Sequence, residues 1–280
     1  MCDLCVINAV KNRMLQKGPE EVSARRDFLK RAAVGATVAA GAGALATPSL
    51  AQGANTVEDL THELHPDFPT YFGEPGFSME QLYNFSDNGF NLFTYNVNEH
   101  TGTHIDAPLH FSADGQSVAE IPVENLVVPL CIIDIASRAQ SDADAQLTPE
   151  DIKAWIASHG DIPDKACVAM HSGWGRYVND TKFRNADDEG TQHYPGFHVD
   201  AVQMLMEETG AVGIAVDTLS LDHGMSPDFA THYAWLPTNR WGIENIANLD
   251  KLPASGATLV VGAPKHRGGT GGPCRVFAMV

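Results

Sequence analysis

Positive charge is scarce in this 280-residue chain: 18 Lys and Arg stand against 35 Asp and Glu, a formal net charge of −17. Nucleic acid and anionic membrane surfaces are excluded as partners on that ground, since both repel an acidic surface. Cysteine is scarce as well. Of the five, Cys2 and Cys5 sit near the start with no second pair to complete a zinc site. Cys131, Cys167 and Cys274 are odd in number and widely spaced, which excludes a disulfide framework. Cys131 and Cys167 lie in apolar runs and read as buried free thiols. No GxSxG elbow is present, so serine hydrolysis is disfavoured. Gly268-Gly269-Thr270-Gly271-Gly272 lacks the lysine and following helix of a phosphate-binding loop and reads as a turn. Internal repeats are absent.

What remains is an ordinary globular composition, 44% hydrophobic and 19% charged, at a length that suits one sizeable domain. The first fifty residues differ from the rest. Arg25-Arg26-Asp27-Phe28-Leu29-Lys30 precedes an Ala/Gly/Val-rich stretch from Ala32 to Ala46, too short and too rich in small residues for a membrane span. Ser49-Leu50-Ala51 then supplies small residues for cleavage after Ala51. This pattern predicts an export signal over residues 1–51 and a mature domain over 52–280. The stretch resembles a twin-arginine signal, with Ala24 where Ser or Thr is usual, and implies a periplasmic or otherwise exported protein. Residues 1–51 hold seven of the Lys/Arg and four of the Asp/Glu, so the mature part is more acidic still, at −20. No membrane insertion is expected of it.

Strand and helix patterns alternate along the mature part. Val127 to Ile135 is an apolar, β-branched run and reads as a buried strand. Thr148 and Pro149 then open a helix as N-cap and first helical residue, and Gly160 ends it. Ala166 to His171 reads as a strand, Val199 to Thr209 as an amphipathic helix stopped by Gly210, and Val212 to Val216 as another strand. Thr258 to Val261 and Val276 to Val280 close the chain as strands. Residues 59–97 have short strands and Gly/Pro-rich turns, and Ser137 to Gln146 reads as a polar surface loop. The alternation predicts an α/β domain with parallel pairings and a mixed or partly closed sheet.

Chemistry concentrates in His100-Thr101-Gly102-Thr103-His104-Ile105-Asp106-Ala107-Pro108-Leu109-His110-Phe111. Histidines four apart share a helix face, but Gly102 and Pro108 oppose a helix. On a helix Asp106 would also point roughly 200° away from His104. In an extended chain His100, His104, Asp106 and His110 have one parity and project to one side. The preceding residues agree, with Phe93, Tyr95 and Val97 as the apolar face. Two imidazoles and a carboxylate suit Zn²⁺ or Mn²⁺ with positions left open for water and substrate. Water bound there would ionise near neutral pH, and His110 on the same side is placed to carry its proton.

The stretch HTGTHIDAPLHF resembles the signature of the cyclase-like metal hydrolases, the family that includes bacterial kynurenine formamidase and isatin hydrolase. Val216-Asp217-Thr218-Leu219-Ser220-Leu221-Asp222 is similar to a later acidic segment of that family, and Gly271-Gly272-Pro273-Cys274-Arg275 to its end, so the likeness spans about residues 57–280. The resemblance implies His100, His104 and Asp106 as metal ligands and His110 as proton donor and acceptor. It adds His232 and Glu244 as a pair that some members use for a second ion. It further implies a compact α/β domain of the swivelling β/β/α type, with a mixed, partly barrel-like sheet flanked by helices and assembly as a homodimer or tetramer. The implied reaction is hydrolysis of an aromatic amide, either an arylformamide such as N-formylkynurenine or the lactam ring of isatin. Tyr71, Phe72, Phe111 and Trp174 are candidates for the aromatic pocket. His171, at a strand end, and His223, beside Asp222, have no assigned role. The rival expectation is an exported metal- or ligand-binding protein that keeps the site without turnover, which has no use for a proton carrier at His110.

Overall fold

The computed structural model describes residues 56–280, so the export signal expected at 1–51 lies outside the described residues. After a short strand β1 (Val57–Asp59), strand β2 (Phe77–Tyr83), helix α1 (Phe85–Asn88) and strand β3 (Leu92–Val97) form a two-stranded sheet of their own. Residues 79–96 of this segment group apart from the rest by contact. Within it, Asn84 caps α1 by accepting from the Asp87 N–H, and Gly89 ends it at φ 78°, a left-handed conformation that costs glycine nothing.

The other unit is α/β. Its sheet starts from β4 (His104–Asp106) and β5 (Val127–Asp134), after which helix α2 (Ala136–Ser141), strand β6 (Gln146–Leu147) and helix α3 (Pro149–His159) lead to β7 (Cys167–His171). Strand β8 (Gly196–Phe197) and helix α4 (Val199–Glu208) cross to β9 (Gly213–Val216), and helix α5 (Ala230–Trp235) crosses to β10 (Trp241–Glu244). The chain closes with β11 (Ala257–Gly262), β12 (Gly271–Pro273) and β13 (Arg275–Met279). Nine strands pair in the order β1-β13-β11-β5-β7-β9-β10-β4-β12. The central run β5-β7-β9-β10 is parallel and every other pairing is antiparallel. This is the expected mixed sheet, strongly curled into a half-barrel and accompanied by helices.

The parallel strands are apolar along most of their length because both their faces are covered, with polar residues at the C-terminal ends of β5, β7 and β10. Leu130 and Ile132 of β5 join Cys167 and Ala169 of β7 in one core. The alternate residues Cys131, Ile133, Val168 and Met170 pack against Ile152 and Trp155 of α3 and Ala201 and Leu205 of α4 in another. All three described cysteines are buried and free, and burial pushes the Cys131 thiol up to about 12.

Three expectations need correction. Part of the polar stretch 137–146 is helical: Asp134 Oδ1 accepts the Ala136 N–H at 2.7 Å, and Ala139 is buried. The glycine-rich stretch holds an edge strand, because Gly271 to Pro273 pairs with β4. Residues 93–110 are not one extended strand. Strand β3 ends at Val97, a turn with Gly102 at φ 67° follows, and Pro108 opens a short 3₁₀ turn over Pro108–Phe111.

Candidate metal centre and adjoining cavity

The three residues of β4 lie between β10 and β12 and are fully buried. Alternation sends His104 and Asp106 to one side and Ile105 into the core. Register then chooses their neighbours. Glu244 on β10 stands directly across from His104, while Gly242 and Gly271 flank Asp106. A Cβ on Gly271 would stand 2.9 Å from the His100 ring, so glycine is what lets that ring approach the strand. His100 arrives from the turn and His110 from the 3₁₀ turn, not along a strand as parity suggested.

Each of three imidazoles is fixed through its outer nitrogen. Thr270 Oγ1 donates to Glu99, which leaves its oxygen to accept from His100 Nε2 at 2.9 Å. His104 Nδ1 donates to the Gly102 carbonyl at 2.9 Å, and His232 Nδ1 to Asp222 Oδ2 at 2.6 Å. In the neutral form of each ring the inner nitrogen is thereby left as a bare lone pair, open to a cation. These nitrogens face carboxylates. His100 Nδ1 is 2.7 Å from Asp106 Oδ1, and His104 Nε2 is 3.3 Å from both Asp106 Oδ1 and Glu244 Oε2. His232 Nε2 is 3.3 Å from Glu244 Oε1 and 3.6 Å from Asp106 Oδ2.

Five electron-pair donors turned on one another repel unless a cation lies among them. Buried His104 Nε2 and Asp106 Oδ2 have no hydrogen-bond partner among the described residues, in keeping with that need. The titration behaviour expresses the same demand. Burial pulls the His104 imidazole down, but Asp106 and Glu244 outweigh it and raise it to about 10. Burial likewise favours neutral Asp106, and His100, His104 and His232 override it and hold the carboxyl well below its usual range. His232 is raised well above the usual histidine value against burial, by Asp106, Asp222 and Glu244. Imidazole and carboxylate donors without a thiolate fit a divalent ion. His104, Asp106 and Glu244 form one tight set of potential ligand atoms; His100, Asp106 and His110 form a second that shares Asp106.

His110 adjoins this network without a side-chain hydrogen bond to any described residue. Its ring stacks on His100 with centroids 3.7 Å apart and 19° between planes, and meets Phe111 edge-on at 4.7 Å. Burial pushes its pKa down to about 4, with His100 and His232 adding to the effect against Asp106 and Glu244. At neutral pH it is an uncharged base.

A cavity of about 370 Å³ opens beside these groups and is lined by His100, His104, His110, His232 and Glu244. Its volume suits a small ligand. Tyr71, Phe72 and Phe111, three of the four aromatic candidates, line it, and Phe72 is largely exposed. Trp174 does not line this cavity. It is buried with Phe183, Tyr194 and Leu219, and its indole N–H donates to the Phe183 carbonyl; an aromatic residue beside a glycine-rich turn went into a satellite core. Sequence reading missed Phe229, which joins Tyr71 and Phe111 at ring separations of 5.7 and 5.6 Å. It also missed Glu99 and Thr270, which orient His100. The only trace of Glu99 was its place next to His100, and nothing local marked Thr270.

The sequence profile of the Cyclase family matches residues 58–223. The isatin hydrolase of Roseibium aggregatum is 34% identical over 250 residues, covering 82% of this chain and 94% of that protein. A kynurenine formamidase of Salinibacter ruber is 27% identical, covering 69% and 81%. The structure of isatin hydrolase A from Ralstonia solanacearum superposes with a TM-score of 0.75 at 35% identity, over 80% of this chain and 92% of that one.

Proposed function

The chain belongs to the Cyclase family, and from that premise we propose that it is a metal-dependent hydrolase that cleaves the amide bond of a small aromatic substrate. The observation that carries the reading is the set of three imidazoles pinned through their outer nitrogens, with their bare lone pairs turned on Asp106 and Glu244. Likeness to isatin hydrolases over most of the chain favours a cyclic amide such as isatin, and likeness to kynurenine formamidases keeps arylformamides within the class.

His100, His104 and Asp106 would hold the principal ion, with His232 and Glu244 as ligands of the same or a second ion. Zn²⁺ and Mn²⁺ both suit imidazole and carboxylate donors. When bound, the ion supplies Lewis acidity for activating water and polarising a carbonyl. The chain's own groups do the rest. Phe111, Phe229 and Tyr71 hold an aromatic ring against the site by apolar contact. His110, uncharged and freed from the hydrogen-bond network, takes the proton of the attacking water and returns it to the departing nitrogen. His232 is fixed by Asp222 and keeps its remaining nitrogen on the site.

The twin-arginine pattern at Arg25-Arg26 supports export of a folded, metal-loaded protein to the periplasm, with 1–51 removed and 52–280 as the working domain. Exposed Leu82, Phe85 and Phe93 on the two-stranded segment support a homodimer or tetramer. Among the described residues no helix is long and apolar enough to cross a membrane. The deciding experiment counts Zn and Mn bound per chain of residues 52–280, then assays isatin and N-formylkynurenine before and after chelation. Turnover that chelation abolishes and Mn²⁺ or Zn²⁺ restores is the expected result. Bound metal without turnover on any aryl amide would favour a binding protein, and failure to bind metal would overturn the reading.

A further inference from the structure

Asn245 follows Glu244 at the end of β10, in the left-handed region at φ 56°, a conformation asparagine tolerates better than most residues. Its backbone is fully engaged: the N–H donates to the Thr218 carbonyl at 3.0 Å, and its own carbonyl accepts from Thr103 Oγ1 at 2.6 Å. Its side-chain Nδ2 donates to the Gly102 carbonyl at 2.9 Å, which settles the orientation of the amide. Oδ1 is therefore the free end, and this buried oxygen has no partner among the described residues. Asn245 lines the cavity that holds His104, His110 and Glu244. Thr101 lines the same cavity, is 2% exposed, and its Oγ1 is also buried without a partner among the described residues.

Neither atom faces the cation-demanding cluster through any ion pair or hydrogen bond described above. Leaving a polar oxygen buried and unpaired costs as much as a lost hydrogen bond, so an amide oxygen and a hydroxyl in that state at one cavity point to a ligand that satisfies them. An amide oxygen can only accept. We propose that Asn245 Oδ1 accepts the N–H of the scissile amide, with the Thr101 hydroxyl beside it as a second polar contact, so that the pocket selects substrates bearing an N–H over N-substituted ones. This rests on the aryl-amide reading above and names the group that sets its specificity. The pairing has a chemical use. An acceptor on that N–H fixes which face of the nitrogen is turned to His110 for protonation, and an N-alkyl amide would present a methyl group to a buried oxygen.

The test compares kcat/KM for isatin and N-methylisatin in the metal-loaded wild type, in N245G and in T101V. Glycine accepts the positive φ at position 245, so N245G removes the oxygen without backbone strain. The wild type should prefer isatin by about 100-fold or more, as sites built to bond a substrate N–H reject analogues that lack it. N245G should shrink that preference by about 10- to 100-fold, the range expected when one buried hydrogen bond is lost. T101V should shrink it less. Asn245 shares the Gly102 carbonyl with His104, so a purely positioning role would lower both substrates by the same factor and leave the ratio intact. That result, or a wild type indifferent to N-methylation, overturns the proposal. A wild type inert toward both compounds while metal-loaded would instead bring down the aryl-amide reading, and the proposal with it.

Discussion

His100 and His110 lie face to face, their ring centroids 3.7 Å apart and their planes 19° from parallel. Two imidazoles stacked this closely cannot both carry charge without strong repulsion, and burial already pushes His110 down to about 4. One ring is committed to the metal cluster through Asp106 and Thr270, and the other stays uncharged and open to the cavity. On the proposed function, the stack would divide the labour between holding an ion and carrying a proton.

Replacing His110 with Ala should therefore lower kcat by ~10²- to 10⁴-fold, the usual range for removing a general acid–base group. Metal content, measured by atomic emission on the same preparation, should stay at the wild-type value. Loss of metal would make His110 a ligand and reassign the proton carrier.

Thr270 bonds to Glu99 and to His100 Nε2, and so fixes which nitrogen of His100 carries the hydrogen. Thr270→Val keeps the shape and removes the hydroxyl. Affinity for Mn²⁺ should fall about 10- to 100-fold, as is typical when a partner that orients a ligand is lost. Equilibrium dialysis would show it, and an unaltered affinity would argue that His100 is oriented by packing on His110 alone.

Metal should also stabilise the fold. An ion that binds only the native state adds about 2.7 kcal/mol when present at 100 times its dissociation constant. Thermal melts of the chelated protein should rise on adding Mn²⁺ or Zn²⁺. In His104→Ala the rise should be much reduced, and an equal rise there would place the ion elsewhere.

Acid sensitivity has a local source far from the site. Asp151 closes the capping box of α3 with Thr148 and pairs with Arg138 at 2.6 Å. Burial favours its neutral form, but bonds from Arg138 and Thr148 outweigh burial and lower its pKa. A carboxyl depressed on folding adds stability above its unfolded pKa of about 3.9 and loses it as pH falls through the lower folded value. The gap in melting temperature between wild type and Asp151→Ala should be full above about pH 5 and should close on acidification below about pH 3. A gap that persists in acid would mean the helix start is held by packing instead.

N-terminal sequencing of protein recovered from the periplasm should begin at Gln52. A product that retains Arg25-Arg26 would remove the signal assignment.

The parallel half of the sheet was legible in the sequence because burial on both faces leaves uninterrupted apolar runs, as in Val127–Asp134 and Cys167–His171. Helix α3 was legible from local chemistry, Thr148 and Pro149 at its start and Gly160 after its end. His100, His104, Asp106 and His110 were legible as a group through their crowding, but parity misjudged how they meet: a positive φ at Gly102 and a 3₁₀ turn at Pro108 replace strand alternation. What pairs with them was not legible. Glu99 reaches Thr270 across 171 positions, and Gly102 reaches Asn245 across 143. Contacts of that span leave no local pattern. Trp174 shows the opposite error, since an aromatic side chain suits a core as well as a pocket.

Strand β4 is only three residues long and is held on both sides, by β10 and by β12. A slip of one position would turn Ile105 toward Glu244 and drive His104 and Asp106 into the hydrocarbon core. No partly active form lies between those arrangements, because strand pairing shifts in whole residues. Holding the ion as proposed, the cluster would act as a proofreader of the sheet: a chain that captures its ion would, by that act, certify the register on which its core depends.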